Sequence, residues 1–267
     1  MYDWDHIAAY DIPAVVDFVR HLTRHRTVAY VGFSQGGGTM FALLAQRPEM
    51  ARIIRPFIAM APAVFLGHMY SPMRVALAFD GQTLPHVPGE HLLSRQLLND
   101  AFQYGFCRGV VGQEFCSIFL QTLHGSSDST NNTRLPVIFH HFPSPSSNWQ
   151  MAHFGQSVVT GKFSYFNYGS AEKNLAVYQQ KTPPEYPLEK ISSKLKVVIM
   201  HGNTDSLVSE TDTRKLISIL KTAGVPVIEH KVPKKKWAHH DFVTGMGAGK
   251  LVYDSAIKYL DLFTRDY

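Results

Sequence analysis

The chain has 267 residues, 45% of them hydrophobic, so it can bury a substantial core and lacks the composition of a disordered segment. Its formal net charge of +5 leaves an anionic lipid surface open as a partner, but the Lys and Arg residues are scattered. The one tight run, Lys234-Lys235-Lys236, has no interleaved aromatics and reads as a solvated loop, not as a nucleic-acid patch. No apolar run reaches bilayer length, because the longest, residues 53–66, is interrupted by Arg55, Pro56 and Pro62.

The first residues, Met1-Tyr2-Asp3-Trp4-Asp5-His6, lack the basic start and apolar centre of a secretory signal. Residues 7–25 place Ile7, Ile12, Val15, Val16, Phe18, Val19 and Leu22 at helical spacing, with Pro13 tolerable near the helix start. Thr27 to Val31 reads as a short strand and Thr39 to Gln46 as a helix. Between them, Gly32-x-Ser34-x-Gly36 puts a serine at a strand-to-helix corner. Glycines two before and two after it let a strained turn pack without Cβ clashes, which is the nucleophile elbow of an α/β-hydrolase. Residues 55–62 form another buried-type strand, giving a parallel strand-helix-strand unit.

From residue 67 to 188 the rhythm changes to helical patches (residues 90–106 and 112–123) among loops rich in Pro, Ser, Gly and His, with aromatics dense from 139 to 178. This reads as an insertion over the sheet, a cap whose apolar helices are either ordinary core or a lipid-contacting lid. It carries the two cysteines, Cys107 and Cys116. They would be free thiols in a reducing compartment and could close a small loop in an oxidising one. It also carries the sequon Asn131-Asn132-Thr133, in a polar Ser/Asp/Asn stretch that reads as a surface loop. Cysteine pair and sequon together lean toward the secretory pathway. Parallel-sheet rhythm then returns, with a strand over 194–200, a helix over 210–223 stopped by Gly224, a strand over 225–232 and a closing helix over 249–263. The expected organisation is a core built from residues 1–66 and 189–267, with residues 67–188 as the cap.

A serine nucleophile needs a neutral imidazole within hydrogen-bond reach and a carboxylate that fixes the imidazole tautomer. In α/β-hydrolases the order is Ser, Asp or Glu, then His, each on a loop after a strand. Asp205 follows the strand that ends at Met200 and fits the acid position; Asp212 falls inside the next helix and competes poorly. After the last strand, His239 and His240 both offer a base, and spacing does not choose between them.

Taken together, Tyr10-Asp11-Ile12-Pro13-Ala14, Gly32-Phe33-Ser34-Gln35-Gly36, Met60-Ala61-Pro62, Gly161-Lys162-Phe163, Tyr168-Gly169-Ser170, Asn174, Tyr178, Pro183-Pro184-x-Tyr186 and His239-x-Asp241-Phe242 resemble the acid lipase family. The family comprises the gastric and lysosomal acid lipases and their invertebrate relatives, and the likeness extends over essentially the whole chain. It implies a capped α/β-hydrolase that cleaves neutral lipid esters, triacylglycerols or sterol esters, at an emulsion or membrane surface, without cofactor or metal. It further implies Ser34 as nucleophile, Asp205 as acid and His239 as base, Gln35 N–H as an oxyanion donor, a Cys107–Cys116 disulfide, glycosylation at Asn131 and a secreted or lysosomal location.

Three departures from the family pattern bear on these expectations. Phe33 stands where these lipases usually have His, and Asp5-His6 where they have Asp-Glu, so altered packing is expected there. Family members also carry a signal peptide and several strands ahead of the point matching Met1, including the loop that donates a second oxyanion N–H. The expectation is thus a core short of its N-terminal strands, with the elbow strand an aggregation-prone edge and one donor fewer, a loss that typically costs on the order of 100- to 1000-fold in turnover. The competing functions are a lipid-binding protein without turnover and an esterase for small soluble esters.

Overall fold

The computed structural model describes residues 2–83, 105–142, 144 and 146–264. Four short strands form one sheet: β1 (Val28–Phe33), β2 (Ile54–Met60), β3 (Val197–His201) and β4 (Val227–Lys231). The strands are all parallel and lie in the order β1-β2-β3-β4. Every residue of β3 is buried and β2 is nearly so, as expected of central strands covered on both faces. From Val28 to Val31 β1 alternates between half-buried and exposed positions, and among the described residues β2 is its only strand partner. The register pairs Phe33 with Met60 and Met60 with Met200, so the C-terminal ends of three strands finish level. Loops leaving that edge converge, which is where open parallel sheets place their sites.

Side-chain alternation along β2 divides the core in two. Phe57 and Ala59 face a cluster containing Phe41, Leu44 and Leu216, while Ile58 and Met60 face one containing Trp237, Phe242 and Val252. The first cluster is covered by α1 (Ile12–Thr23) and α2 (Gln35–Gln46). α2 is buried at every position from Gly37 to Ala45, which is why its sequence is apolar on all sides.

Between β2 and β3 the chain builds α3 (Met73–Thr83), α4 (Gly109–His124), α5 (Leu135–His141), α6 (Asn148–Thr160) and α7 (Ala171–Tyr178). The expected helical patch at 112–123 lies within α4; the patch at 90–106 lies outside the described residues apart from its last two. α4 serves two roles at once, since Cys116 and Leu120 pack on Leu135 and Phe139 while Val110, Phe115 and Ile118 face solvent. Cys107 and Cys116 form a disulfide with Cα atoms 5.6 Å apart. Beyond β3 come α8 (Glu210–Thr222), α9 (Asp241–Thr244) and α10 (Asp254–Thr264). Among the described residues no helix is long and apolar enough to cross a membrane.

Candidate active site

Ser34 sits between β1 and α2 with φ 51° and ψ −115°, a left-handed conformation that a non-glycine residue adopts only where its surroundings enforce it. The Ser34 N–H donates to Met60 O at 2.9 Å, and Ser34 O accepts from Gly37, Gly38 and Ala63 N–H. At Gly32 a Cβ would lie 2.7 Å from the Gly36 backbone, so glycine is required there. The expectation for Gly36 needs correction, because a Cβ there meets only Tyr30 Oη at 3.7 Å. The tight approach is at Gly38 instead, 2.3 Å from Ala63 O, where α2 presses against the chain leaving β2.

The three residues singled out in sequence come together. Asp205, 2% exposed, holds Leu207 and Val208 N–H on Oδ1 (3.0 and 2.8 Å) and leaves Oδ2 for His239 Nδ1 at 2.7 Å. Since an ionised carboxylate only accepts, Nδ1 carries the proton; Nε2 then presents its lone pair to the Ser34 hydroxyl at 2.8 Å. Gln35 opens α2, so its N–H belongs to the first turn, where no intrahelical acceptor exists. Phe33 packs its ring 4.9 Å from that of His239, which gives the departure at this position a role in seating the imidazole.

The second histidine is placed elsewhere. His240 lies with its ring centroid 4.0 Å from that of His124, the two rings tilted by 58°, and meets Phe142 edge-on at 4.8 Å. Burial, followed by the neighbouring histidines, holds the His240 pKa well below its ordinary value, and burial with the proximity of His239 pushes His124 down to about 4. Both rings are therefore neutral at physiological pH and line an apolar cavity of about 270 Å³ beside Ser34, with Leu66, Met69, Met73 and Phe154 among its walls.

Asp212 is buried at the start of α8, where it accepts from His68 N and lies 2.8 Å from His68 Nδ1, far from any catalytic geometry. Lys234 is not simply solvated: its Nζ pairs with Asp128 at 3.1 Å and donates to Ser129 Oγ at 2.7 Å, leaving Lys235 and Lys236 exposed. Asn131 starts a 3-10 turn and is half-buried, its Oδ1 accepting from Thr133 at 2.7 Å. The polar stretch around it is only partly a surface loop, because Ser129 is fully buried.

Asp3, Asp5 and His153 offer ligand-type atoms within 4.8 Å of one another. Asp5 already accepts from Phe166 N and the Tyr186 hydroxyl, Asp3 accepts from Asp5 N, and His153 Nε2 meets Ser164 O at 2.9 Å. The bonds of Asp5 tie the first turn of the chain to Phe166 and Tyr186, beyond α6.

Sequence reasoning missed Ser127, whose hydroxyl donates to Asp241 Oδ1 at 2.8 Å, and Gly125, which takes φ 108° against Thr204. The glycine immediately after an apolar helix was the available signal for the second; nothing local marks the first.

Residues 3–242 match the family model described as the alpha/beta hydrolase fold. Among curated proteins, human Lipase member K is 28% identical over 98% of this chain and 64% of its own length. Gastric triacylglycerol lipase of Rattus norvegicus and lysosomal acid lipase/cholesteryl ester hydrolase of Macaca fascicularis are each 29% identical over 97% of this chain and 64% of their own lengths. The chain thus spans about 64% of the length of these relatives and is similar to lipases of the gastric and lysosomal type across nearly all of its own. With its parallel sheet, its serine at a strained strand-to-helix corner and that family match, the chain belongs to the alpha/beta hydrolase fold family.

Proposed function

We propose that this chain carries the catalytic centre of a lipase that hydrolyses neutral lipid esters, triacylglycerols or sterol esters, through an acyl-enzyme. The observation that carries the reading is the unbroken hydrogen-bond chain from Ser34 Oγ through His239 to Asp205, at 2.8 and 2.7 Å, opening onto an apolar cavity. Ser34 Oγ attacks the ester carbonyl while His239 Nε2 takes the hydroxyl proton, and Asp205 orients the imidazole and stabilises the imidazolium. Gln35 N–H donates to the developing oxyanion. His239 then returns the proton to the departing alcohol oxygen as the C–O bond breaks. Water, activated by the same imidazole, hydrolyses the acyl-Ser34 and regenerates the hydroxyl.

In this reading residues 1–66 and 189–267 are the hydrolase core and residues 67–188 its cap. The exposed Val75, Phe79, Val110, Phe115 and Ile118 on α3 and α4 meet an emulsion or membrane surface. The Cys107–Cys116 disulfide, the sequon at Asn131 and the names of the relatives support a secreted or lysosomal protein.

A fluorophosphonate probe should label Ser34, and hydrolysis should rise when the ester passes from monomers to an emulsion. A folded sample that takes no label would overturn the catalytic reading and leave a lipid-binding protein. Labelling with no rise at the emulsion would assign the activity to small soluble esters.

A further inference from the structure

The acid and the base stand on two loops that are far apart in sequence, and a third segment is bonded to both. The carbonyl of His124, at the end of α4, accepts from His239 N–H at 3.2 Å and from Ser206 N–H at 3.4 Å. One oxygen therefore bridges the base and the residue after the acid. Leu123 O accepts from Ser206 Oγ at 3.1 Å, and Ser126 O accepts from Thr204 Oγ1 at 2.6 Å, so the acid loop is held on both sides of Asp205.

On the base side, Ser127 Oγ donates to Asp241 Oδ1 at 2.8 Å, and Asp241 Oδ2 accepts from Ala238 N–H at 2.8 Å. The Asp241 carboxylate thus anchors the residue before His239 and is itself aimed by Ser127. Ser129 O accepts from Met246 N–H at 2.7 Å, and Lys234 closes the far end onto Asp128 and Ser129. The segment can lie this close because Gly125 has no side chain: at its φ of 108° a Cβ would fall 1.8 Å from Thr204 O.

We propose that residues 123–129 are a positioning strap that sets the Asp205–His239 separation, with Gly125 and Ser127 its determining residues. This inference rests on the catalytic roles given above. Neither residue touches the reacting atoms; each acts through the loops that carry the acid and the base. The strap issues from α4, the same helix whose other face carries Val110, Phe115 and Ile118, so the geometry of acid and base is tied to the cap.

The test uses Ser127→Ala, Ser127→Thr and Gly125→Ala in this chain, with a soluble p-nitrophenyl ester as substrate. Ser127→Ala should lower kcat about 10- to 100-fold, the cost of a small misplacement of a catalytic group, while KM stays within about twofold. Ser127→Thr, which keeps the hydroxyl, should recover most of that loss. Gly125→Ala should be more severe, and the Ser127 pair decides the matter where that variant does not fold. In parallel, the far-downfield Nδ1 proton of His239 should be visible by NMR in the parent and lost in Ser127→Ala at a temperature where both are folded. An unchanged kcat, a loss confined to KM or an unmoved Nδ1 proton would overturn the strap. If the parent chain takes no fluorophosphonate label, the catalytic reading falls by itself. The Nδ1 proton still judges the strap, its loss in Ser127→Ala supporting it and its persistence refuting it.

Discussion

Asp205 and His239 stand on loops enclosed by hydrogen-bonded chain, whereas Ser34 stands at the end of a strand that, among the described residues, has a strand partner on one side alone. On the β3 side, Asp205 and His239 are buried and their loops are bonded to residues 123–129. On the β1 side, Val31 is 47% exposed, and Val15, Phe18 and Leu22 of α1 face solvent at 61%, 65% and 69%. An apolar groove of about 290 Å³ runs between α1 and β1. The nucleophile is held from within, by the strained corner and the packing of α2, and the acid and base from without, by polar bonds. Changes on the β3 side should therefore strike the chemistry and the fold, and changes on the β1 side the association of the molecule with others.

The largest effect expected is at Asp205. Asp205→Asn keeps the shape but presents an amide that can donate to Nδ1, which turns the imidazole to the wrong tautomer, so kcat should fall on the order of 10⁴-fold. The circular dichroism spectrum and KM should be preserved, and a loss below tenfold would mean that His239 is oriented by something else. Next comes the core of the sheet. Ile199 in β3 is fully buried, and Ile199→Ala should cost about 2–5 kcal/mol in denaturant unfolding through lost burial and the cavity left behind.

The arm leading into α1 offers a third contrast, between a satisfied acid and a crowded one. Burial, and then the charge of Asp3, raises the Asp5 pKa to about 7 from 3.8. The folded state therefore holds a proton that the unfolded state has released between about pH 4 and 7, and this group's contribution to stability falls as pH rises through that window. At 1.36 kcal/mol per pKa unit the total change across the window is capped at about 4 kcal/mol. Asp5→Asn removes it, so the Tm of the variant relative to the parent should rise from pH 4.5 to pH 8. His153, held near 3 by burial, opposes this in both proteins by losing stability as pH falls below 6.5, so the pH range above 6.5 isolates Asp5. A difference in Tm that does not move with pH would remove Asp5 as its source.

Much of this fold was readable in the sequence because its signals are local. Short apolar runs, Phe57 to Ala61 and Val197 to Met200, mark β2 and β3, and the serine corner is bracketed by a strand and a helix whose periods differ. Ser34 and Asp205 were legible because the fold places each just after a strand. The choice between His239 and His240 was legible only through the family resemblance, since adjacent residues share every local signal and in the fold it is the approach of Ser34 on one side and of His124 and Phe142 on the other that separates them. The strap was illegible for a different reason: its bonds are mostly to backbone carbonyls, and Ser127 meets Asp241 across 114 residues of chain. Gly38 was overlooked in favour of Gly36 because the clash that fixes it comes from Ala63, beyond the helix.

The smallest effect on stability, and the one that probes the open side directly, is at Val31. Its side chain points away from the core, so Val31→Lys should change the unfolding free energy by no more than about 0.5 kcal/mol. It should nevertheless alter how the chain behaves at high concentration. An edge strand presents unpaired N–H and C=O groups to any other extended chain, and a lysine on such an edge opposes pairing because docking a second strand would bury or crowd its charge. Concentration-dependent association, followed by sedimentation velocity, should therefore weaken in Val31→Lys while fluorophosphonate labelling of Ser34 proceeds at the parental rate. Association that persists unchanged would place the sticky surface on the apolar faces of α3 and α4 instead, and would mean that α1 and the twist of β1 already protect the edge.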